Sequence, residues 1–215
     1  MKKKSLINWF CLSGILAALC YLLHDIIGAM NYPGYDFMSQ AVSDLTATDA
    51  PSFVVASGIS SVYGMFSLVC CACLCVLVGG VKSKGFKLGV YLFAAMNLVS
   101  AVGYSLFPLS GAGYDGSVQS FIHVYVVTIL VVLLSIASLI LIAVFAFKSG
   151  RKWLGGLAVL AFVLMFVGAV GSQSVPKEIF GVIERFSTYS AVVFLAVLSV
   201  YGFVGGFEKS KKINK

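Results

Sequence analysis

Six long apolar stretches limit what this sequence can fold into more than any other feature. A helix needs about 20 apolar residues, at a rise of about 1.5 Å per residue, to cross the hydrocarbon core of a bilayer. The stretches are continuous rather than alternating, which excludes barrel strands, and helices satisfy their own backbone in lipid. They cover about residues 6–30, 53–81, 88–107, 118–147, 153–170 and 179–207. We therefore predict an all-α, polytopic membrane helical bundle, with residues 1–215 as a single integral membrane domain.

The composition agrees with lipid as the main solvent of the chain. Hydrophobic residues make up 60% of the sequence and charged residues only 11%, whereas a soluble domain carries roughly 25% charged residues. A soluble fold of this length cannot bury so much apolar surface. The six cysteines also lie inside the apolar stretches, a location that favours helix packing over a disulfide framework.

The charged residues predict the orientation of the helices. All 15 basic residues except Lys177 and Arg185 fall at the two termini or in the links 82–87 and 148–152. Apart from Glu208, the acidic residues fall on or near the other side. Because cytoplasmic loops are enriched in Lys and Arg, we predict that both termini are cytoplasmic. The net charge of +7 then reflects topology and attraction to anionic lipid rather than binding to nucleic acid.

The N-terminus has the lysines and the apolar run that a signal peptide would have. The run is longer than the core of a usual signal peptide, and no small-x-small cleavage site follows it. We therefore expect this segment to be retained as the first membrane helix.

Ionisable residues are rare within the predicted helices, and each is a candidate functional group because a charge is costly in lipid. They are His24 and Asp25 in the first helix, His123 in the fourth, and Glu184 and Arg185 in the sixth. All of them fall in the outer third of the predicted bilayer. An imidazole beside a carboxylate can act as a base, a proton relay or a metal ligand. A hydrogen-bonded packing patch at a helix end explains the same residues.

The longest connection, residues 31–52, contains a pattern typical of a short amphipathic helix. A turn signal at Pro33 is followed by apolar residues at helical spacing over residues 36–45. Such a helix would lie on the membrane or cap the bundle. It would bring Ser43 and Asp44 over the outer ends of the membrane helices, although both side chains are equally suited to capping the segment itself.

Several short motifs follow one another along the chain. They are Pro33-Gly34-Tyr35, Ser43-Asp44-Leu45, Phe107-Pro108, His123 early in the fourth helix and Arg185 early in the sixth. Together they resemble a bacterial membrane-protein family catalogued as domain of unknown function 998, over about residues 12–205. The family commonly carries Glu where this chain has Asp44. The resemblance implies a six-helix protein of the bacterial plasma membrane and supplies no activity.

The first functional hypothesis is a membrane-embedded hydrolase or transferase that acts at the outer leaflet. A metal ion, with zinc as the first candidate, would activate a water or the Ser43 hydroxyl. The candidate metal ligands are His24, Asp25, Asp44 and His123. The candidate catalytic residues are His24, Asp25, Ser43, Asp44, His123 and Arg185. Because the chain has only two His residues, a carboxylate would have to replace a third imidazole ligand.

Two other hypotheses remain open. A non-catalytic lipid-binding or accessory membrane subunit needs no reactive site, and membrane lipid is the partner that the sequence indicates. A small proton-coupled transporter would need a charged or interrupted site near the bilayer midplane. The predicted midplane is apolar, which places the transporter below the other two hypotheses.

The sequence also predicts which residues meet. The first, fourth and sixth helices should bring His24, His123 and Arg185 near one another, with the first outer loop folded over them. Asp44 should face this cluster, where Arg185 is its candidate partner. A buried Asp–Arg pair would be structural in itself, since removing either partner leaves a buried charge without its counter-ion.

Overall fold

The computed structural model describes residues 4–111 and 113–207. Within these residues it confirms the all-helical fold and contains six helices that are long and apolar enough to cross a membrane. These helices, called the first to sixth spans, are Leu6–Met30, Phe53–Val78, Lys84–Leu106, Val118–Lys148, Lys152–Gly171 and Lys177–Phe203. Lys2, Lys3 and residues 208–215, on which part of the predicted orientation depends, lie outside the described residues.

Three spans are built from more than one helical segment. The first consists of α-helices Leu6–Phe10 and Ser13–Met30. The fourth consists of α-helix Val118–Phe121, a π-helix at Ile122–Val127 and α-helix Thr128–Lys148. The sixth begins with a 3-10 turn at Lys177–Ile179 and continues as α-helix Phe180–Phe203. The π-helical turn contains His123, and π-helical turns within α-helices are frequent at functional sites.

The link between the second and third spans shows why the predicted helix ends shift slightly. The second span ends at Val78 rather than near residue 81, because Gly79 forms its C-cap. The third span begins at Lys84, four residues earlier than predicted. Its N-cap is Ser83, whose hydroxyl accepts the backbone N–H of Phe86 at 3.3 Å. This bond satisfies one of the unpaired donors of the first helical turn.

The six spans form a ring in chain order. Each span packs along the next one, and the sixth span returns to pack against the first. The first and sixth spans are therefore brought side by side. The end of the bundle that carries the loops 31–52, 107–117 and 172–176 is called the distal end below, and the opposite end, where the described residues begin and end, is called the terminal end.

The apolar core and the buried ionisable residues occupy different parts of the ring. The main core extends from the terminal end to the middle and includes Phe86, Phe93, Leu139 and Leu195, each almost fully buried. The buried ionisable residues all lie toward the distal end, and they are His24, Asp25, Asp44, His123 and Arg185. Five of the six candidate residues predicted from sequence are thus buried, Ser43 being partly exposed, and all six lie at one end of the bundle.

Residues 31–52 fold over the distal end and are called the cap. The prediction of an amphipathic helix over residues 36–45 is wrong. These residues form turns that lead into a short 3-10 helix at Val42–Thr46. The reason is a tertiary contact. Arg185 donates to the backbone carbonyls of Phe37 and Gln40, at 3.1 and 3.0 Å. A helix would direct both carbonyls along its own axis, toward N–H groups four residues on.

Gly181 fixes the position of the cap on the sixth span. The Gly181 N–H donates to the carbonyl of Met38 at 2.8 Å. A Cβ at Gly181 would collide with the carbonyl oxygen of Gln40 and would lie 2.7 Å from that of Phe37. The absence of a side chain at this position therefore allows the cap backbone to approach the helix directly.

Gly181→Ala should lower the thermal stability of the protein. Backbone atoms of the cap must move to make room, and overpacking of this kind costs about 1–3 kcal/mol. Gly58→Ala is the matched control, because it is also in a span and a Cβ there meets nothing within 4 Å. Thermal unfolding of the purified proteins in detergent checks this prediction. Equal melting temperatures for the two variants would contradict the close packing of the cap.

Candidate functional site

Asp25 and Arg185 form a buried ion pair between the first and sixth spans. The Nε and Nη2 atoms of Arg185 donate to the two carboxylate oxygens of Asp25, at 2.9 and 2.8 Å. Arg185 is 5% exposed and Asp25 is 2% exposed. This two-bond arrangement is the strong form of an arginine–carboxylate contact. The partner of Arg185 is therefore Asp25, and the predicted pairing with Asp44 is wrong.

The remaining donors of Arg185 hold the cap. Its Nη1 atom donates to the carbonyls of Phe37 and Gln40, at 3.1 and 3.0 Å, and to that of Gly181. Its Nη2 atom donates to the Tyr35 hydroxyl at 2.8 Å. The guanidinium also lies 3.7 Å from the centre of the Phe37 ring. Every N–H of Arg185 thus has an acceptor, which is what a buried guanidinium requires.

Two tyrosines complete the surroundings of the ion pair. The Tyr189 hydroxyl donates to Asp25 at 2.9 Å. The Tyr35 hydroxyl donates to the Ala41 carbonyl at 2.8 Å while it accepts from Arg185. Burial raises the pKa of Tyr35 to about 12, although the nearby Arg185 charge acts in the opposite direction. The sequence did not identify either tyrosine as part of the cluster. Tyr35 lies near a membrane boundary, where tyrosines are expected in any case, and no sequence pattern distinguished Tyr189.

Asp44 stabilises the cap rather than an ion pair. Its two oxygens accept the backbone N–H groups of Ala41 at 3.2 Å and Gly113 at 3.1 Å. It therefore connects the cap to the loop between the third and fourth spans. Burial raises the pKa of Asp44, and these two backbone donors act to lower it. Asp44 is 6% exposed, so its carboxylate is fixed by the fold.

His24 is buried without any hydrogen bond to its ring. The residue is 3% exposed, and neither Nδ1 nor Nε2 has a partner among the described residues. It lies on the first span between Tyr21, whose ring centre is 5.7 Å away, and Asp25. A buried polar atom without a partner costs about 1–3 kcal/mol. Such an atom in a folded protein calls for an explanation.

Glu184 is the second side chain at the distal end with an unpartnered atom. The residue is half-buried, yet its Oε2 atom is buried and has no partner among the described residues. Sequence analysis placed Glu184 at the right depth but did not include it among the candidate catalytic residues. The sequence signal for Glu184 was its position beside Arg185. Neighbouring residues on a helix point in different directions, so the two side chains have different surroundings.

His123 lies on the other side of the ring, against the third span. Its Nδ1 atom is 2.7 Å from the Phe107 carbonyl, and its ring is 4.6 Å from that of Tyr104. A carbonyl only accepts hydrogen bonds, so this contact assigns the proton of a neutral ring to Nδ1 and makes Nε2 the acceptor. The hydrogen bond explains why the Phe107-Pro108 motif and His123 occur together in the sequence.

The predicted zinc site is not assembled. Within residues 4–111 and 113–207, no group of three or more His, Cys, Asp or Glu side chains is placed to hold a metal ion. The reason is that three of the predicted ligands already have hydrogen-bond partners. Arg185 donates to Asp25, backbone amides donate to Asp44, and the Phe107 carbonyl bonds to His123. The residues therefore do not fit a zinc-binding site.

Ser43, the predicted nucleophile, has a structural role in the cap. Its backbone carbonyl accepts the Thr46 hydroxyl at 3.1 Å within the 3-10 turn. In the part of the chain that the structure describes, the Ser43 hydroxyl makes no hydrogen bond to an imidazole or a carboxylate. A serine nucleophile needs such a base to activate it. The geometry thus provides no activated serine at this position.

An apolar groove lies between the fifth and sixth spans and is called the lateral groove. Its volume is about 160 Å³, and its walls include Leu160, Phe186, Tyr189 and Val193. It opens toward the surrounding membrane, because Leu160 and Val193 are each 54% exposed. Tyr189 belongs to both the groove and the polar cluster, since its hydroxyl donates to Asp25.

Close helix contacts border the lateral groove at both ends. At the distal end, Gly168 packs directly against the backbone of Ser187. At the terminal end, the rings of Trp153 and Tyr201 lie 5.4 Å apart. The groove therefore lies between these two contacts, next to the distal polar cluster that Tyr189 also joins.

This arrangement defines a six-span helical membrane protein with a polar cluster under a cap at one end. The chain belongs to the family described as Protein of unknown function (DUF998), whose sequence profile matches residues 15–201. The resemblance inferred from the short motifs is thus confirmed. No curated protein and no solved structure gave a significant match.

Asp25→Asn should destabilise the protein strongly, because it leaves the buried Arg185 guanidinium without a counter-ion. Breaking one side of a buried ion pair costs about 3–5 kcal/mol. Asp36→Asn is the matched control, since Asp36 is exposed and interacts only within the cap. Its expected effect is within about 0.5 kcal/mol. Thermal unfolding in detergent measures both, and an Asp25→Asn effect no larger than that of the control would show that the pair is not structural.

Proposed function

We propose that this protein binds a lipid of the outer leaflet of the bacterial plasma membrane, as a non-catalytic lipid-binding or accessory subunit. The observation that carries the proposal is that three of the six buried unpartnered side-chain atoms among the described residues lie at the distal end: His24 Nδ1, His24 Nε2 and Glu184 Oε2. Unpaired buried polar atoms are rare in folded proteins and call for an explanation. A polar ligand at the distal end would supply their missing hydrogen-bond partners.

The lateral groove supports a ligand that also has an apolar part. Its residues from Phe186 to Val197 extend along the sixth span for about 17 Å. Apolar contacts with a lipid chain add to affinity for each methylene group that they bury. Since Tyr189 lies between the groove and Asp25, a polar head and an apolar chain would be recognised side by side.

The polar cluster favours binding over chemistry. Arg185 and Asp25 use their hydrogen-bonding capacity on each other and on the cap, so both are positioned by the fold rather than exposed to a substrate. The second candidate function, an outer-leaflet hydrolase or transferase, is favoured by one observation. The Phe107 carbonyl fixes the tautomer of His123, which makes Nε2 a suitable general base.

Filling the lateral groove should reduce lipid binding. Val193→Trp places a large ring in the groove, whereas Val200→Trp, at 41% exposure on the same helix, lies outside the lining. Native mass spectrometry of protein purified in mild detergent counts the retained lipids. We expect retained lipid in the wild type and in Val200→Trp, and loss of it in Val193→Trp. The proposal fails if the wild type retains no lipid or if both variants retain it equally.

The predicted orientation forms part of the same proposal, because an outer-leaflet ligand requires the distal end to face outward. Ser174 lies exposed in the last distal loop, and Ser149 lies exposed in a link at the terminal end. In intact cells, a membrane-impermeant maleimide should label Ser174→Cys and should not label Ser149→Cys. The wild type, whose cysteines all lie within the spans, is the background control. Labelling of Ser149→Cys alone would reverse the orientation.

A further inference from the structure

The charges of the described residues are divided between the two ends of the bundle. Of the eight acidic residues, Glu208 lies outside the described part of the chain, and the other seven lie toward the distal end. Among the described residues, the terminal end carries only positive side chains, namely Lys4, Lys82, Lys84, Lys87, Lys148, Arg151 and Lys152. A positive surface without carboxylates is suited to an anionic partner.

Arg151 differs from the lysines of this surface because its side chain lies on the apolar core. The central carbon of its guanidinium is 5.0 Å from the centre of the Phe86 ring, and Phe86 is fully buried. Arg151 itself is half-buried. Among the described residues it forms no ion pair, in contrast to Arg185. A guanidinium on a ring keeps N–H donors at its edge, and their fork matches two oxygens of a phosphate.

A tight turn between the fourth and fifth spans brings two lysines close to Arg151. The backbone N–H groups of Ser149, Gly150 and Arg151 all donate back to carbonyls in the last turn of the fourth span, at 2.9–3.1 Å. Gly150 has a φ of 74°, which a residue with a side chain rarely adopts. The fifth span then begins at Lys152. Lys148, Arg151 and Lys152 thus belong to five consecutive residues of a hydrogen-bonded turn, which is called the basic turn.

Contacts with the third span hold the basic turn at one corner of the bundle. The Nζ atom of Lys148 lies 5.3 Å from the centre of the Phe145 ring. That ring packs on Gly85, where a Cβ would collide with it. Arg151 lies over the ring of Phe86, the next residue along the chain. Both cations are therefore placed against the first turn of the third span.

An exposed tryptophan borders the basic turn. Trp153 is 54% exposed, and its ring lies 5.4 Å from that of Tyr201 in the sixth span. Tryptophan is enriched where a membrane meets water, because its ring is apolar and its N–H is polar. The corner therefore offers cations to a phosphate group and an apolar ring to the part of a lipid next to that phosphate.

These features favour a phospholipid over a soluble anion. The basic turn joins two membrane spans, so it lies at the surface of the bilayer, where lipid phosphates are concentrated. Basic pockets between membrane helices bind anionic headgroups in this way. Lys148 and Lys152 are exposed, and their additional charge favours a headgroup with a net negative charge over a zwitterionic one.

The orientation of the helices does not by itself explain this arrangement. The rule that cytoplasmic loops are basic depends on the number of Lys and Arg residues near the spans, not on the surroundings of each side chain. Lys82 counts toward that number in the same way as Arg151, and it is exposed in the other link of the terminal end. Lys82 is therefore the matched control for Arg151.

We propose that Arg151, with Lys148 and Lys152, binds the phosphate group of an anionic phospholipid in the leaflet at the terminal end. The site lies in the opposite leaflet from the proposed distal ligand. No residue of the basic turn lines the lateral groove. This inference and the proposed function can therefore fail independently.

The wild-type protein, purified in a maltoside detergent, tests the requirement for negative charge. Thermal unfolding is followed while phosphatidylglycerol, phosphatidylcholine or inorganic phosphate is added. We expect a saturable rise in melting temperature with phosphatidylglycerol that exceeds the rise with phosphatidylcholine, because a ligand stabilises the folded state that binds it. Equal rises with the two lipids would overturn the proposal. A rise with inorganic phosphate as large as that with phosphatidylglycerol would overturn a lipid as the ligand.

Two glutamine variants locate the site, since each removes one positive charge from the terminal end. Arg151→Gln should weaken phosphatidylglycerol binding by about tenfold, because the lost hydrogen bonds join two charged groups. Lys82→Gln should bind this lipid like the wild type. Each rise is measured from the variant's own melting temperature without lipid, so a change in stability is not counted as a change in binding. Equal binding by the two variants would overturn the role of Arg151.

Val193→Trp separates the basic turn from the lateral groove. This variant should keep the preference for phosphatidylglycerol over phosphatidylcholine, whereas Arg151→Gln should lose it. Loss of the preference in Val193→Trp, with retention in Arg151→Gln, would place the anionic lipid in the groove and overturn this inference.

Discussion

The ion pair between Asp25 and Arg185 is the interaction on which the distal end of this protein depends. It joins the first and sixth spans through two residues that are 160 positions apart in sequence, and it closes the ring of helices. Taking two charges out of water is expensive, and only excellent geometry with further hydrogen bonds offsets this cost. Arg185 meets this condition by also binding the backbone of the cap. Ring closure and cap position are therefore coupled through one side chain.

The same constraint separates structural residues from candidate ligand-binding residues. Two sequence neighbours illustrate this separation: His24 beside Asp25, and Glu184 beside Arg185. Consecutive residues on a helix point in directions about 100° apart, so only one member of each pair can face the ion pair. Asp25 and Arg185 take that position, whereas His24 and Glu184 retain unpartnered atoms. A close pair of ionisable residues in a membrane sequence can thus contain one structural group and one functional candidate.

The spans and the depth of the polar residues were predictable from sequence, because apolar length and the cost of charge in lipid are local properties. The partner of Arg185 was not predictable, since it depends on which helices are neighbours in the ring. The cap also escaped prediction in detail. Its apolar spacing resembles a helix, but the carbonyls of Phe37 and Gln40 bind Arg185, and the segment forms turns instead. Tyr35 was missed because an aromatic belt explains its position equally well, and Tyr189 because its contact with Asp25 depends on which helices are neighbours.

The arrangement of the side chains at the distal end supports a binding role rather than hydrolysis. Hydrolysis would need a nucleophile, a base that activates it and a stabilised transition state in one place. Here Ser43 and Asp44 belong to the folding of the cap, and His123 lies against the third span. The distal end instead holds an unpartnered carboxylate and an unpartnered imidazole, and the apolar groove reaches the ion pair of the same end at Tyr189. The proposed lipid ligand would use both features, since a lipid joins a polar head to an apolar chain.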